Sequence, residues 1–146
     1  MEEQMARRLV AAEGKKLQQA GLVARTWGNI SCRIDENHFV ITPSGLDYET
    51  MTARDLVLMD IRNGVCCGAH KPSSEKSVHL AAYQTFPEVG YVIHTHQTYA
   101  TAIGLCGFEQ LAMTEEEAEK LGGIARAAYG LSSTEKLAGA VYDAMQ

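Results

Sequence analysis

The segment ISCRIDENHFVIT, residues 30–42, decides the fold that this sequence can adopt. Apolar and polar residues alternate in ISCRI, where Ile30, Cys32 and Ile34 share one side, and this period of two is typical of a β-strand. The polar residues DEN then predict a turn, and HFVIT predicts a second strand that runs back beside the first. The segment therefore predicts an antiparallel hairpin within a sheet.

The segments on either side of this hairpin predict one long helix and further strands. Residues 3–20 have the apolar spacing of a helix, and Gly21 is a suitable stop. After a PSG turn, residues 56–59 predict a third strand, and RNG predicts a hairpin turn into VCC. Because these strands are joined by short turns, we expect a largely antiparallel sheet. The helix residues expected to share the buried face are Met5, Leu9, Val10 and Leu17.

The second half of the chain predicts helices around one more strand. Ser74 is expected to cap a helix from Glu75 to about Phe86, and the β-branched residues of YVIHTH, residues 91–96, predict a strand. TYATAIGL predicts another helix. Two capping boxes, in which a hydroxyl and a glutamate three residues later satisfy helix amides, each predict a helix start. The two boxes pair Thr114 with Glu117 and Ser132 with Glu135.

This order of elements predicts the fold class. Strands come early and helices flank or follow them, which is typical of an α+β or αβα layered domain. We therefore expect a single domain over residues 1–146, of the α/β (α+β) class, with a mainly antiparallel central sheet.

Composition and charge limit the function classes. Hydrophobic residues make up 46% of the 146 residues, and the net charge is −5 without any basic block. We therefore expect neither nucleic acid nor an anionic membrane as the main partner. The charged N-terminal segment predicts neither a signal peptide nor a membrane span, and four cysteines without CxxC spacing favour a reducing cytoplasm. Adjacent Cys66 and Cys67 are a metal or redox pair or, as we expect, strand neighbours with one thiol on each face.

Two histidines, His94 and His96, end the predicted strand. Side chains two residues apart on a strand point to the same face, so both imidazoles can bind one metal ion, although two hydrogen-bonded histidines are the alternative. Glu75 can join them if its helix packs back on the sheet. Two histidines and a carboxylate leave an open coordination position, as a catalytic zinc ion requires. The alternative for Glu75 is an ordinary first-turn acid favoured by the helix dipole.

Three turns rich in glycine and serine can bind an anion. Each alone is typical of an ordinary turn, but together with a metal site they predict a cradle of amides and hydroxyls for a phosphate. The residues concerned are Gly28 and Asn29, Ser44 and Gly45, and Ser73 and Ser74. His79 lies four residues after Glu75, so the two side chains could coordinate a metal ion together, but we expect a structural histidine. His38 and His70 are expected to face solvent.

Four segments of the chain resemble one known family. They are GLVARTWGNISCR, FVITPSGLDYETMTARDLVLMD, KPSSEKSVHLAAYQTFPEVGYVIHTH and TYATAIG. They are similar, from about Ala6 to the end of the chain, to the class II aldolase/adducin family. That family includes fuculose-phosphate aldolases, rhamnulose-phosphate aldolases and ribulose-phosphate 4-epimerases. The resemblance implies an αβα sandwich and a homotetramer with active sites at subunit contacts.

The resemblance also implies roles for individual residues. The family's zinc-binding HxH falls on His94 and His96, and its acid/base glutamate, which also contacts the metal, falls on Glu75. Its phosphate-binding turns fall on the three turns named above. The resemblance thus implies a zinc-dependent lyase that cleaves a small ketose phosphate through a metal-stabilised enediolate, with Glu75 moving the proton. The same ligands suit other divalent ions.

The sequence departs from the family pattern near its end. The family has a third metal histidine in a later strand, and no residue here matches it, so we expect a chain that lacks the C-terminal part of the family fold and is impaired by that loss. The catalytic tyrosine that some family aldolases carry near the QLAMTEE segment is not matched either, and Tyr129 has no assigned role. The alternatives are a non-catalytic, adducin-like assembly module and an epimerase or decarboxylase on the same scaffold.

Overall fold

A five-stranded antiparallel sheet forms the centre of the computed structural model, which describes residues 1–107 and 112–146. The start of the QLAMTEE segment lies outside these residues. The strands are β1 (Asn29–Arg33), β2 (His38–Ile41), β3 (Val57–Asp60), β4 (Cys66–Cys67) and β5 (Tyr91–His94). They lie in the order β4-β3-β2-β1-β5, and every neighbouring pair is antiparallel, which confirms the predicted sheet.

Helices cover both faces of the sheet. They are α1 (Glu3–Gln19), α2 (Lys76–Thr85), α3 (Thr98–Leu105), α4 (Glu115–Leu121) and α5 (Glu135–Met145). Helix α1 packs on one face and α2 on the other, and α5 packs against α2. The layers are therefore αβα, as predicted. Among the helices of the described residues, none has the length and apolar character that crossing a bilayer requires.

The buried face of α1 agrees only in part with the predicted one, because Val10 is fully buried and Leu17 packs against the core. Met5 is 56% exposed, so its assignment to the core is wrong. A Cβ on Gly14 would lie 2.5 Å from Cδ1 of Tyr48, which shows how closely the helix approaches the loop beneath it. Small side chains allow that approach, and a hydrophobicity pattern gives them little weight. The residues that α1 buries are Ala6, Val10, Ala11 and Gly14.

The predicted end of α1 is confirmed, and so is one predicted start. The amides of Gly21 and Leu22 donate to the carbonyls of Gln18 and Leu17, and Gly21 has a φ of +69°, as a glycine stop requires. At α4, the capping box of Thr114 and Glu117 forms with both of its hydrogen bonds.

Two other predicted caps are wrong. Glu75, not Ser74, occupies the N-cap position of α2, and its amide donates to Oγ of Ser73 over 3.3 Å. At α5 the N-cap is Thr134, which leaves Ser132 free to make a different contact. Hydroxyl residues stand side by side at both sites, and the spacing alone did not distinguish them.

Four other side chains that the sequence analysis singled out lie near the protein surface. Cys66 and Cys67 are exposed free thiols on the edge strand β4. His70 is exposed and His38 half-buried, and each lies next to one aspartate, Asp55 and Asp35 respectively.

Candidate active site

The structure brings Glu75, His94 and His96 together between the start of α2 and the end of β5. One carboxylate oxygen and one nitrogen from each ring all lie within 4.8 Å of one another. β5 ends at His94, two residues earlier than predicted, but the His96 ring stacks on that of His94 with 4.9 Å between centroids. Both rings therefore lie on the same side, as the HxH spacing predicts.

The carboxylate of Glu75 is buried, with 6% of the residue exposed. Its Oε1 accepts a hydrogen bond from the Ser132 hydroxyl over 2.6 Å. Its Oε2 contacts Nδ1 of His94. That contact lacks hydrogen-bond geometry, so within the described part of the chain both buried atoms have no hydrogen-bond partner.

These unpartnered atoms fit a divalent cation. Buried polar atoms in proteins are normally satisfied, and a metal ion satisfies a carboxylate and an imidazole at once. Burial lowers the pKa of His94 despite the opposing charge of Glu75, and the neighbouring His96 lowers it further. A lowered pKa favours the neutral imidazole, which is the form that binds a metal.

A cavity of about 340 Å³ opens beside these three candidate ligands. Glu75 and His96 line part of it, and the residues of the three predicted turns line much of the rest. Those residues are Gly28, Asn29, Ser44, Gly45, Ser73 and Ser74. The structure thus brings together every residue predicted to bind substrate, although their roles remain predictions.

Backbone pairing holds the two serine turns side by side. The Ser44 amide donates to the Lys71 carbonyl over 2.9 Å, and the Ser73 amide donates to the Thr42 carbonyl over 3.0 Å. The turns come from distant segments of the sequence, yet this short bridge makes them one wall of the cavity.

The third turn needs its glycine. Gly28 has a φ of +83°, and a Cβ there would lie 2.8 Å from the carbonyl oxygen of His94. The turn therefore lies against the end of β5, which brings Asn29 and the metal-ligand candidates to the same cavity.

His79 has the structural role expected of it. It is fully buried, and its two ring nitrogens are hydrogen-bonded to Ser31 and Asn29. Burial, together with the nearby charge of His94, lowers its pKa to about 3. It is therefore neutral and does not belong to the ligand group.

Sequence reasoning missed two residues of the site. Ser132 was assigned to a capping box, and no local pattern could place it beside Glu75, which is 57 residues away. Trp27 lines the cavity with its ring centroid 5.8 Å from that of His96. Its position next to the predicted Gly28–Asn29 turn was the available signal.

Comparisons with known proteins identify the family of this chain. Residues 8–146 match the model of the class II aldolase and adducin N-terminal domain. The chain therefore belongs to that family, whose enzymes include aldolases and epimerases that typically depend on a divalent metal.

Individual relatives come from both enzyme groups. An L-ribulose-5-phosphate 4-epimerase of Salmonella paratyphi C is 47% identical over 93 residues, which is 62% of this chain and 40% of the epimerase. A solved L-fuculose 1-phosphate aldolase is 32% identical, with a TM-score of 0.83 over 96% of this chain and 66% of the aldolase. The corresponding aldolase of Thermus thermophilus is 25% identical, with a TM-score of 0.78 over 97% of this chain and 72% of its own.

Proposed function

We propose that this chain forms the metal- and phosphate-binding part of an enzyme that cleaves a carbon–carbon bond in a small sugar phosphate. The observation that carries the proposal is the convergence of Glu75, His94 and His96 within 4.8 Å, beside a cavity lined by the three turns. The match covers only 40% of the curated epimerase, so the activity of the whole protein is part of the proposal.

Each part of the site has a distinct task in this proposal. His94, His96 and Oε2 of Glu75 would hold Zn²⁺ or a related divalent ion, which supplies Lewis-acid polarisation of substrate oxygens when bound. Glu75 would then move a proton to and from the substrate carbon at which the bond breaks. The bond from Ser132 to Oε1 holds the carboxylate in one orientation for that transfer.

The cavity's turns would hold the phosphate. Among the described residues that line the cavity there is no lysine or arginine. Hydrogen-bond donors to the phosphate come from the hydroxyls of Ser44, Ser73 and Ser74 and from the amides of the glycine turns. This explains how a chain with a net charge of −5 can bind a phosphorylated ligand. A cytoplasmic homotetramer, with its sites at subunit contacts, belongs to the same proposal.

Two net reactions share this chemistry. Cleavage by a lyase is the reaction predicted from the sequence, and the 32% identity to an L-fuculose 1-phosphate aldolase supports it. Epimerisation at C4 is the second candidate, because the 47% identity to an L-ribulose-5-phosphate 4-epimerase favours it.

The test is to supply the protein with ZnCl₂ and to incubate it in two separate reactions, one with L-fuculose 1-phosphate and one with L-ribulose 5-phosphate. Release of dihydroxyacetone phosphate and an aldehyde identifies a lyase, and formation of the C4 epimer without cleavage identifies an epimerase. Glu75→Gln, which keeps the shape of the side chain, should abolish either product. If the parent protein binds neither zinc nor either sugar phosphate, the proposal is wrong and the adducin-like assembly module is favoured.

A further inference from the structure

A buried chain of hydrogen bonds runs between β1 and α2 beneath the cavity. The hydroxyls of Tyr83 and Ser31 lie 2.8 Å apart, and the Ser31 hydroxyl lies 2.6 Å from Nδ1 of His79. Nε2 of His79 is in turn hydrogen-bonded to Oδ1 of Asn29. All four residues are buried.

The direction of this chain follows from its last member. An amide oxygen only accepts hydrogen bonds, so Nε2 of His79 must carry the proton. The ring is neutral because burial lowers its pKa to about 3. A neutral imidazole has one N–H, so Nδ1 accepts from the Ser31 hydroxyl, which accepts from Tyr83.

The same hydrogen bond from His79 defines the orientation of the Asn29 amide. Its oxygen is tied to His79, so its NH₂ group is the part left to face the cavity that Asn29 lines. This NH₂ has no hydrogen-bond partner among residues 1–107 and 112–146. An NH₂ group donates to an anion, whereas a rotated amide would present an oxygen that repels one.

We propose that His79 is a positioning residue that fixes the Asn29 amide with its NH₂ group toward a bound phosphate. The inference rests on the proposed phosphate cradle and adds a residue that never touches the ligand. Tyr83 and Ser31 support this positioning, because the hydroxyl that donates to Nδ1 keeps the proton on Nε2 of His79.

The first test measures the hydrogen-bond direction in the parent protein. Long-range ¹⁵N–¹H NMR of the five histidines at pH 6 to 8 reports which ring nitrogen carries the proton. We expect an Nε2–H tautomer for His79, assigned by the loss of its signals in His79→Gln. An Nδ1–H tautomer would require the opposite Asn29 orientation and would overturn the proposal.

The second test measures phosphate binding. Trp27 is the single tryptophan and lines the cavity, so its fluorescence should report titration with inorganic phosphate in the presence of EDTA. His79→Leu removes the donor to Asn29 and should weaken binding at least about 10-fold. His79→Gln keeps an NH near the position of Nε2 and should stay within about 3-fold of the parent.

The pattern across these variants separates positioning from packing. Equal weakening in both variants would indicate only disrupted packing, and unchanged binding in His79→Leu would show that Asn29 needs no such support; either result overturns the proposal. If His79→Leu does not fold, the tautomer measurement decides.

Asn29→Asp distinguishes this inference from the proposed function. It still accepts from His79 but presents a negative charge to the phosphate. Parent-like phosphate binding by Asn29→Asp would contradict the cradle itself. Loss of binding in Asn29→Asp together with parent-like binding in His79→Leu would contradict only the role of His79.

Discussion

The two faces of strand β1 differ, because one packs in an apolar core and the other carries polar residues near the candidate active site. Ile30 and Cys32 face α1 and join an apolar cluster. Asn29, Ser31 and Arg33 alternate with them and face α2, where the first two join His79 in buried hydrogen bonds. One face of the same strand is thus an ordinary core, and the other carries a polar network that leads to the cavity.

The α2 face tolerates this polarity because its polar groups are partnered. The Arg33 guanidinium donates to the carbonyls of Tyr83, Phe86 and Val89, and it lies 4.7 Å from the centroid of the Tyr83 ring. It therefore anchors the C-terminal end of α2, where carbonyls lack helical partners and a cation is favoured. The other end of α2 holds Glu75, whose Oε2 lacks a hydrogen bond in the described part of the chain, and that contrast marks the candidate metal site.

The largest expected effect concerns that candidate metal site. The double variant His94→Ala/His96→Ala removes both nitrogen ligands and should weaken zinc binding at least about 100-fold, whereas the parent binds about one equivalent. Isothermal titration with ZnCl₂, with metal analysis of the dialysed protein, measures this. Such a loss of zinc affinity would show that the protein binds the metal on the α2 face of the sheet.

The matched control replaces two histidines that lie near aspartates on the surface. His38→Ala/His70→Ala should keep the zinc affinity of the parent, because neither residue belongs to the ligand group. Equal loss of zinc in both double variants would show that binding is nonspecific and would remove the basis for the site.

The next effect is a pH dependence of stability that originates on the α2 face. Burial lowers the pKa of His79 from 6.5 to about 3, so between these values the unfolded chain binds more protons than the folded one. The contribution of neutral His79 to the free energy of unfolding is fully present above pH 6.5. It is lost as the pH falls toward 3, by at most about 1.4 kcal/mol per pH unit. Urea unfolding at about pH 7, 6, 5 and 4 measures this loss.

His79→Gln isolates that contribution, because His94 has a lowered pKa and acts in the same direction. The variant cannot titrate at position 79, so its free energy of unfolding should fall less steeply than that of the parent as the pH is lowered from neutral. Identical slopes in the parent and the variant would mean that His79 is not held neutral by burial.

On the α1 face, close packing makes the next largest difference. Gly14→Ala places a Cβ 2.5 Å from Cδ1 of Tyr48, and we expect a net loss of about 1 to 2 kcal/mol because overpacking outweighs the gain in helix propensity. Gly139→Ala in α5 is the control, since a Cβ there meets nothing within 4 Å. It should stabilise the protein by about 0.5 to 1 kcal/mol, and thermal or urea unfolding measures both variants.

The sequence predicted the strands better than the contacts between segments. Period-two alternation predicts the hairpin and the common side of His94 and His96, because both depend on local geometry. Ser132 and the small residues on the buried face of α1 escaped prediction for different reasons. Ser132 reaches Glu75 only through the packing of α5 on α2, whereas Ala6, Ala11 and Gly14 are too small to dominate a hydrophobicity pattern.

The smallest effect compares one buried tyrosine from each face. Tyr83→Phe removes the hydroxyl that lies 2.8 Å from Ser31 at the start of the polar chain and should cost about 1 kcal/mol of unfolding free energy. Tyr48→Phe removes a buried hydroxyl that has no hydrogen-bond partner among the described residues, so it should be neutral or slightly stabilising. Urea unfolding of both variants at neutral pH measures the difference. Because the two changes delete the same atom from similarly buried rings, an equal cost would show that hydrogen bonding does not distinguish the faces, whereas the predicted difference would confirm that the α2 face depends on its polar network.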